Sequence, residues 1–143
     1  MWAIGCILAE LSSDDPLFPG DSEIATLFLM FQLLGTPNSS IWPDIDKLPD
    51  YKATFPKWKG LSYESFKSKF NKLDDYGLDL LQRLLSFNPS KRLTASQCLS
   101  HPYFDDLNVT FAIQQAIELG KLLDTNDGQA RRMRRHARQA QNH

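Results

Sequence analysis

Apolar residues recur at helical spacing over the first eleven positions of the chain. One face carries them at i, i+3, i+4 and i+7, namely Ile4, Ile7, Leu8 and Leu11. Most of the other positions are small or apolar too, and a helix that is apolar nearly all round is typical of a protein interior. The pattern therefore predicts that Met1–Leu11 forms a buried central helix. No capping side chain precedes Trp2, so we expect that an element normally found before this helix is missing.

A second amphipathic pattern follows a loop that is rich in Pro, Gly and Asp. Apolar residues from Ile24 to Leu34 have helical spacing, and Gly35 marks the end of this helix. Asp21 or Ser22 is expected to cap its first turn. Further apolar residues lie off the stripe. The helix is therefore either wedged between two surfaces or exposes a patch that requires a partner.

The region Thr36–Asn71 differs from the rest because four prolines are interspersed with aromatic residues. Proline at this spacing interrupts regular elements, whereas a disordered linker would not carry so many aromatic side chains. We therefore predict an ordered, aromatic-pinned loop region, with a short helical turn near Ser62–Lys67. Lysines next to aromatic residues, as around Trp58, are also typical of protein surfaces that bind nucleic acids. Nearby aspartates weaken that signal, so packing is the favoured interpretation.

Three further helices are predicted after this region. Asp74-Asp75 opens the third helix of the chain and Asn88-Pro89 ends it, and its inner face carries leucines: Leu78, Leu81, Leu84 and Leu85. Thr94, followed three residues later by Gln97, has the pattern of a capping box and opens a short fourth helix. Val109–Leu123 is the fifth candidate. Because no strand-like alternation is long enough, the predicted fold class is all-α.

Composition adds an asymmetry of charge. The formal net charge is −1, but Arg131–Arg138 contains five arginines and no acid follows Arg131. This tail is predicted to be a solvated end, and it gives only a weak signal for nuclear import or nucleic-acid binding. Two cysteines, Cys6 and Cys98, are predicted to be free thiols, which fits a reducing compartment. Glu10 interrupts the apolar start, so neither a signal peptide nor a membrane span is predicted.

No catalytic or metal-binding pattern is recognisable from the residues alone. The three histidines share no ligand spacing with the cysteines, and no nucleophile motif is present. The acid pairs Asp14-Asp15 and Asp74-Asp75 stand in loops or at helix starts. Acidic side chains are common at helix starts because the helix dipole stabilises negative charge there. These observations predict an all-α domain with an aromatic loop and no catalytic site.

Several motifs, taken in order, resemble the C-terminal part of the large lobe of eukaryotic protein kinases. Trp2–Leu11 resembles the core helix of that lobe, helix F. Five further runs resemble the cyclin-dependent kinases in particular: Leu17–Ile24, Leu34–Pro37, Ile41–Pro43, Leu48–Lys52 and Phe55–Trp58. Two more runs complete the lobe, Asn88–Ala95 and His101–Phe104.

The resemblance implies a specific domain organisation. Residues 1–105 would be a partial kinase domain from helix F to helix I, including the insert of the CMGC group. Residues 106–143 would be a C-terminal extension with a helix and a basic, Arg-rich tail. The parent activity would be ATP- and Mg-dependent phosphorylation of protein Ser/Thr, under the control of a cyclin that binds mostly outside this chain.

The same resemblance implies that this chain is catalytically inactive. Kinases need a Gly-rich loop, a strand lysine and the H-R-D, D-F-G and A-P-E motifs, and none of these occurs in the sequence. No residue is therefore assigned to catalysis, to ATP or to a metal ion.

Arg92 matches a family position that pairs with the Glu of A-P-E, which is absent here. Removing one partner of a buried ion pair costs about 3–5 kcal/mol, against a total domain stability of about 5–15 kcal/mol. We therefore expect marginal stability unless Arg92 turns into water. The alternative is that Arg92 is an ordinary surface residue.

The resemblance implies that this chain keeps one binding surface of the family, which docks an adaptor protein. In cyclin-dependent kinases, the start of helix G and the following loop bind a small Cks-type, phosphate-reading adaptor. The matching positions here are Asp21, Ser22, Glu23, Ile24, Asp50 and Lys52. Ile24 would be the apolar anchor among charged neighbours. The alternative is that Asp21 and Ser22 only cap the helix and that Ile24 only packs.

Three functional hypotheses follow, all for a protein of the cytoplasm or nucleus. The first is an incomplete, inactive copy of a cyclin-dependent kinase. The second is a non-catalytic module that binds a Cks-type adaptor or another partner. The third is nucleic-acid association through Arg131–Arg138, which would give binding a steep salt dependence.

Overall fold

The computed structural model describes residues 1–108 and 110–122. The described chain divides into two units at the junction of Asp105 and Asp106. In this part of the chain the regular elements are all helical, and no strand is present. The predicted all-α fold class is therefore confirmed. The Arg131–Arg138 prediction lies outside the described residues.

Helix α1 spans Trp2–Ser13, and its buried face differs from the predicted one. Gly5, Ala9 and Ser12 are the buried residues, whereas the predicted core positions Ile7 and Leu11 are 51% and 74% exposed. The prediction of a helix buried all round was therefore wrong for the unit Met1–Asp105. No side chain caps its first turn, in agreement with the sequence.

The small residues of α1 are buried because this helix lies very close to helix α4, which spans Asp75–Leu84. A Cβ atom added to Gly5 would lie 2.9 Å from the Cβ of Leu84 and 2.9 Å from a methyl group of Leu85. Such distances leave no room for a side chain, so a glycine is needed here. Closeness of approach, rather than apolar content, decides which face of α1 is covered.

Helix α2 spans Glu23–Leu34 and has the predicted caps. The Ser22 side chain accepts a hydrogen bond from the Ala25 amide at 3.3 Å, and Gly35 ends the helix with φ of 89°. Phe31 and Leu33 are buried, and every residue from 25 to 30 is half-buried. The helix therefore contacts protein on more than one side but leaves much of its first two turns accessible.

The aromatic insert, residues 36–60, leaves the end of α2 and returns to it. Thr36 donates its amide to the Trp58 carbonyl at 3.0 Å, and the Trp58 amide donates to the Thr36 hydroxyl at 2.9 Å. That hydroxyl in turn donates to the Pro56 carbonyl at 2.8 Å. Gly60, with φ of 77°, lies so close to Gly35 that a Cβ would come 2.6 Å from its nitrogen. We call these contacts the insert clasp.

Ring contacts hold the insert in place, as predicted for an aromatic-pinned region, and the structure adds that their partner is α2. Trp58 packs on Phe28 with ring centroids 5.3 Å apart, and Phe55 lies 5.8 Å from Phe31. The one regular element within the insert is a 3₁₀ helix at Ile45–Lys47, which the proline spacing did not predict. The short turn predicted around Ser62 is a full helix, α3, at Tyr63–Lys69.

Helix α4 has the predicted start and inner face but ends earlier than predicted. Asp74 accepts a hydrogen bond from the Gly77 amide at 2.7 Å, and buried leucines line the core side: Leu78, Leu80, Leu81 and Leu84. The helix stops at Leu84 rather than at Asn88-Pro89. The Asn88 side chain accepts from the Ser90 amide at 3.0 Å, and such local bonds compete with helix continuation.

The last elements of the first unit are short. Helix α5 spans Ala95–Leu99 and begins with the predicted capping box of Thr94 and Gln97. A 3₁₀ helix follows at Pro102–Phe104. Cys98 is buried against Leu80 and Leu84, and both cysteines are free thiols.

The second unit contains a helical segment at residues 110–122, within the predicted candidate Val109–Leu123. Several of its apolar side chains are more than half exposed, among them Phe111, Ile113, Ile117 and Leu119. None of the described helices is both long enough and apolar enough to cross a membrane.

Candidate functional site

The predicted docking residues lie at the start of α2 and in the insert. Ser22 uses its side chain to cap the helix, whereas Asp21 does not cap it. Glu23 stands in the first turn, where an acid interacts favourably with the helix dipole. Capping therefore accounts for Ser22 and Glu23 but leaves Asp21 as an exposed carboxylate beside the helix start.

Ile24 is 48% exposed, so it is not a core residue of the described chain. It lies one residue after Glu23 and three after Asp21, and both of these acids are exposed. An accessible apolar side chain with charged neighbours is the composition that binding hot spots and their surroundings show. The geometry is compatible with the predicted anchor role and does not support the alternative that Ile24 only packs.

Four of the six predicted docking residues line two surface depressions that share Leu27. One, of about 460 Å³, is lined by Asp21, Ser22 and Glu23 together with Thr26, Leu27 and Met30. The other, of about 310 Å³, is lined by Asp50 and by aromatic and aliphatic residues that again include Leu27. Leu27 thus links the α2 start with Asp50. Neither depression is lined by Ile24 or Lys52, and both of these side chains are exposed.

Leu27 and Met30 are the site residues that the sequence prediction missed. They follow Glu23 at i+4 and i+7, so they share its helix face. This spacing was the available signal, but Leu27 also lies within the apolar stripe from Ile24 to Leu34, which the sequence analysis interprets as the packed face of the helix. The structure leaves both residues half-buried.

Arg92 has partners that the sequence did not predict. Its Nε donates to the Ser86 carbonyl at 3.0 Å, and a terminal nitrogen donates to the Phe87 carbonyl at 3.3 Å. Its guanidinium carbon lies 5.2 Å from the centroid of the Trp2 ring, a cation–π distance. Among the described residues no carboxylate forms an ion pair with it.

These contacts correct the expectation for Arg92. The half-buried side chain is neither an unpaired buried charge nor an ordinary surface residue. Backbone carbonyls and an aromatic face stabilise the cation where a carboxylate was expected. The side chain therefore joins the first residue of α1 to the loop that follows α4.

A second charged feature is a cluster of three side chains, Asp79 and Arg83 on α4 and His101 after α5. Burial by itself raises the pKa of Asp79, but hydrogen bonds from His101 at 3.0 Å and from Arg83 outweigh it and hold this pKa below its ordinary value. His101 accepts the Tyr103 amide on Nδ1, so Nε2 carries the proton that it donates to Asp79. The cluster fixes the 3₁₀ helix Pro102–Phe104 to α4, which is a structural task.

The described residues do not fit ATP and magnesium. No group of three or more His, Cys, Asp or Glu side chains in residues 1–108 and 110–122 is placed to hold a metal ion. The 310 Å³ depression contains one carboxylate, Asp50, and is otherwise apolar or aromatic. Neither depression is lined by a lysine or an arginine, and the one at the start of α2 is lined by the carboxylates of Asp21 and Glu23, which repel phosphate.

The unit Met1–Asp105 thus combines a capped α2, a clasped insert, the α1–α4 contact and a short capping-box helix. Residues 1–104 match the family model described as "Protein kinase domain". The chain belongs to the protein kinase domain family.

Proposed function

We propose that this chain is the C-terminal part of the large lobe of a cyclin-dependent Ser/Thr protein kinase, in the cytoplasm or nucleus, and that these 143 residues transfer no phosphate by themselves. The observation that carries the proposal is the insert clasp, which joins the two ends of the Pro- and aromatic-rich insert directly after α2. The runs that resemble the cyclin-dependent type lie in the loop before α2, at the two ends of α2 and in this insert. They form one ordered structure.

Inactivity is supported by chemistry rather than by the fold. Phosphoryl transfer depends on positioning of the phosphates and on stabilisation of charge by lysine, aspartate and metal ions. The sequence lacks the motifs that supply these groups, and no group of three or more His, Cys, Asp or Glu side chains among the described residues is placed to hold a metal ion.

The test of inactivity uses the purified 143-residue chain with Mg²⁺, radiolabelled ATP and a general Ser/Thr peptide substrate. We expect no labelled peptide above background and no ATP binding by calorimetry. A reproducible transfer of label, abolished by heating the protein, would overturn the proposal. The mass of the protein isolated from cells is the companion measurement, since a larger species would mean that these 143 residues are part of a longer molecule.

The second candidate function is adaptor docking, which the exposure of Ile24 favours. The surface around Ile24, Asp21 and Asp50 is accessible and contains both apolar and acidic groups. A Cks-type adaptor is the partner proposed for it, and the cyclin of the parent kinase would bind mostly outside this chain.

A pull-down with a Cks-type adaptor tests this candidate. Ile24→Asp is expected to lower retention at least tenfold, because truncation or charging of a hot-spot residue costs more than about 1.4 kcal/mol. Ile41→Asp is the matched control, since Ile41 is a similarly exposed isoleucine, at 44%, outside the docking set. Equal retention of the two variants would defeat the adaptor hypothesis.

A further inference from the structure

The 310 Å³ depression between α2 and the insert has features of a small-molecule site that go beyond adaptor docking. It has walls on several sides, provided by α2, by the insert and by Phe87 after α4. Its volume falls at the lower end of the range for ligand pockets, about 300–1,000 Å³. A cavity of this size suits one compact organic group rather than a helix or an extended peptide.

The wall chemistry is predominantly aromatic. Five rings line the cavity: Phe31, Trp42, Tyr51, Phe55 and Phe87. Neighbouring rings are strongly tilted, by 88° between Tyr51 and Phe55 and by 68° between Phe31 and Phe87. An aromatic ring is electronegative on its face and attracts cations there. Because the rings differ in orientation, a guest meets both faces and edges.

Asp50 is the one ionisable side chain that lines this cavity besides the phenol of Tyr51. It forms no ion pair among the described residues. The neighbouring acid Asp44 differs, since it is paired with Lys47 at 2.6 Å. The cavity therefore combines aromatic faces with a carboxylate that forms no ion pair among the described residues, and both features favour a cation.

We propose that this depression binds a small organic cation, namely an aryl- or alkyl-ammonium compound whose apolar body enters between Leu27 and the rings. Its ammonium group lies at the Asp50 carboxylate. The apolar body gains affinity by leaving water, and the charge provides selectivity over neutral and acidic analogues.

The experiment compares three probes of similar shape with the full 143-residue chain: 4-phenylbutylamine, 4-phenylbutanol and 4-phenylbutyrate. Binding is followed by the indole N–H signals of the three tryptophans in ¹⁵N-correlated NMR spectra. We expect the Trp42 signal to shift with saturation, with the amine strongest, the alcohol weaker and the acid weakest. Trp2 does not line the cavity, but it packs on the wall residue Phe87 with ring centroids 5.5 Å apart, so we expect its signal to shift less than that of Trp42.

Two variants locate the charge. Asp50→Asn is expected to weaken amine binding about threefold and to leave alcohol binding unchanged, as for loss of an exposed ion pair. Asp46→Asn is the matched control, because Asp46 is an exposed acid of the same insert that does not line the cavity. It should leave both affinities unchanged.

The NMR titrations with the two variants distinguish a cation site from an unspecific apolar site and from no ligand site. Amine preference that is lost in Asp50→Asn and kept in Asp46→Asn supports the proposal. Equal affinity for amine and alcohol, or equal effects of the two variants, overturns the assignment of a cation site. No saturable shift of Trp42 with any probe overturns the cavity as a ligand site altogether. The proposal does not depend on adaptor docking, which is tested at Ile24.

Discussion

Helices α1 and α4 lie against each other in the unit Met1–Asp105 and contribute different kinds of residue to their contact. α4 buries leucines at helical spacing and keeps its charged residues outside. α1 buries Gly5, Ala9 and Ser12, and it exposes Ile4 and Ile7. The comparison shows that a helical period identifies a helix, whereas the face that becomes buried also depends on how closely the neighbour approaches.

The largest expected difference between the two helices concerns their large apolar residues. Leu81 on α4 is fully buried, so Leu81→Ala should lower the free energy of unfolding by about 2–5 kcal/mol. Ile7 on α1 is 51% exposed, so Ile7→Ala should change it by less than about 0.5 kcal/mol. Urea unfolding followed by far-UV circular dichroism measures both values. Similar losses for the two variants would mean that the exposed face of α1 is covered in solution.

A smaller effect is expected where the two helices touch. Alanine in place of a helical glycine normally stabilises by about 0.5–1 kcal/mol, but the new Cβ of Gly5→Ala would meet Leu84 and Leu85 at 2.9 Å. Overpacking of this kind typically costs about 1–3 kcal/mol, so we expect a net loss of stability.

Gly120→Ala is the matched control for the Gly5 variant. Gly120 is also helical, but a Cβ there would have nothing within 4 Å. It should increase helicity in circular dichroism spectra, whereas Gly5→Ala should lower the urea midpoint. A stabilised Gly5→Ala variant would contradict the close approach of α1 to α4.

The smallest effect is expected at the connection between the two helices. Arg92→Leu removes two hydrogen bonds to carbonyls after α4 and the contact with Trp2. For a half-buried charged donor we expect a loss of about 1–2 kcal/mol in the free energy of urea unfolding. Arg92→Lys should lose less, since the charge remains above the ring. A gain in stability for the leucine variant would show that the Arg92 charge lacks effective partners.

Local signals of the sequence predicted much of the fold. Ser22, Gly35 and the pair Thr94 and Gln97 determine helix ends through hydrogen bonds to groups within four residues along the chain, so their effect is visible without tertiary structure. The inner face of α4 was predictable for a related reason. Its leucines contrast with charged neighbours, and a single apolar stripe has only one way to be buried.

Long-range contacts limited the other predictions. The buried face of α1 depends on Leu84 and Leu85, which are about eighty residues away in the sequence. The partners of Arg92 are carbonyl groups, which every residue carries and which no motif can reveal. The docking positions were predicted from a family resemblance. Their connection through Leu27 could not be predicted from the sequence, because it depends on how the insert folds back over α2.

The insert clasp has a consequence for how such chains vary in length. Because Thr36 and Trp58 hold the two ends of the excursion together, the segment between them forms a closed side branch of the helical unit. The entropy of closing such a branch grows slowly, by about 0.6 kcal/mol for each doubling of its length. Exposed residues can therefore be inserted into this branch at little cost in chain entropy, while the clasp still joins its two ends.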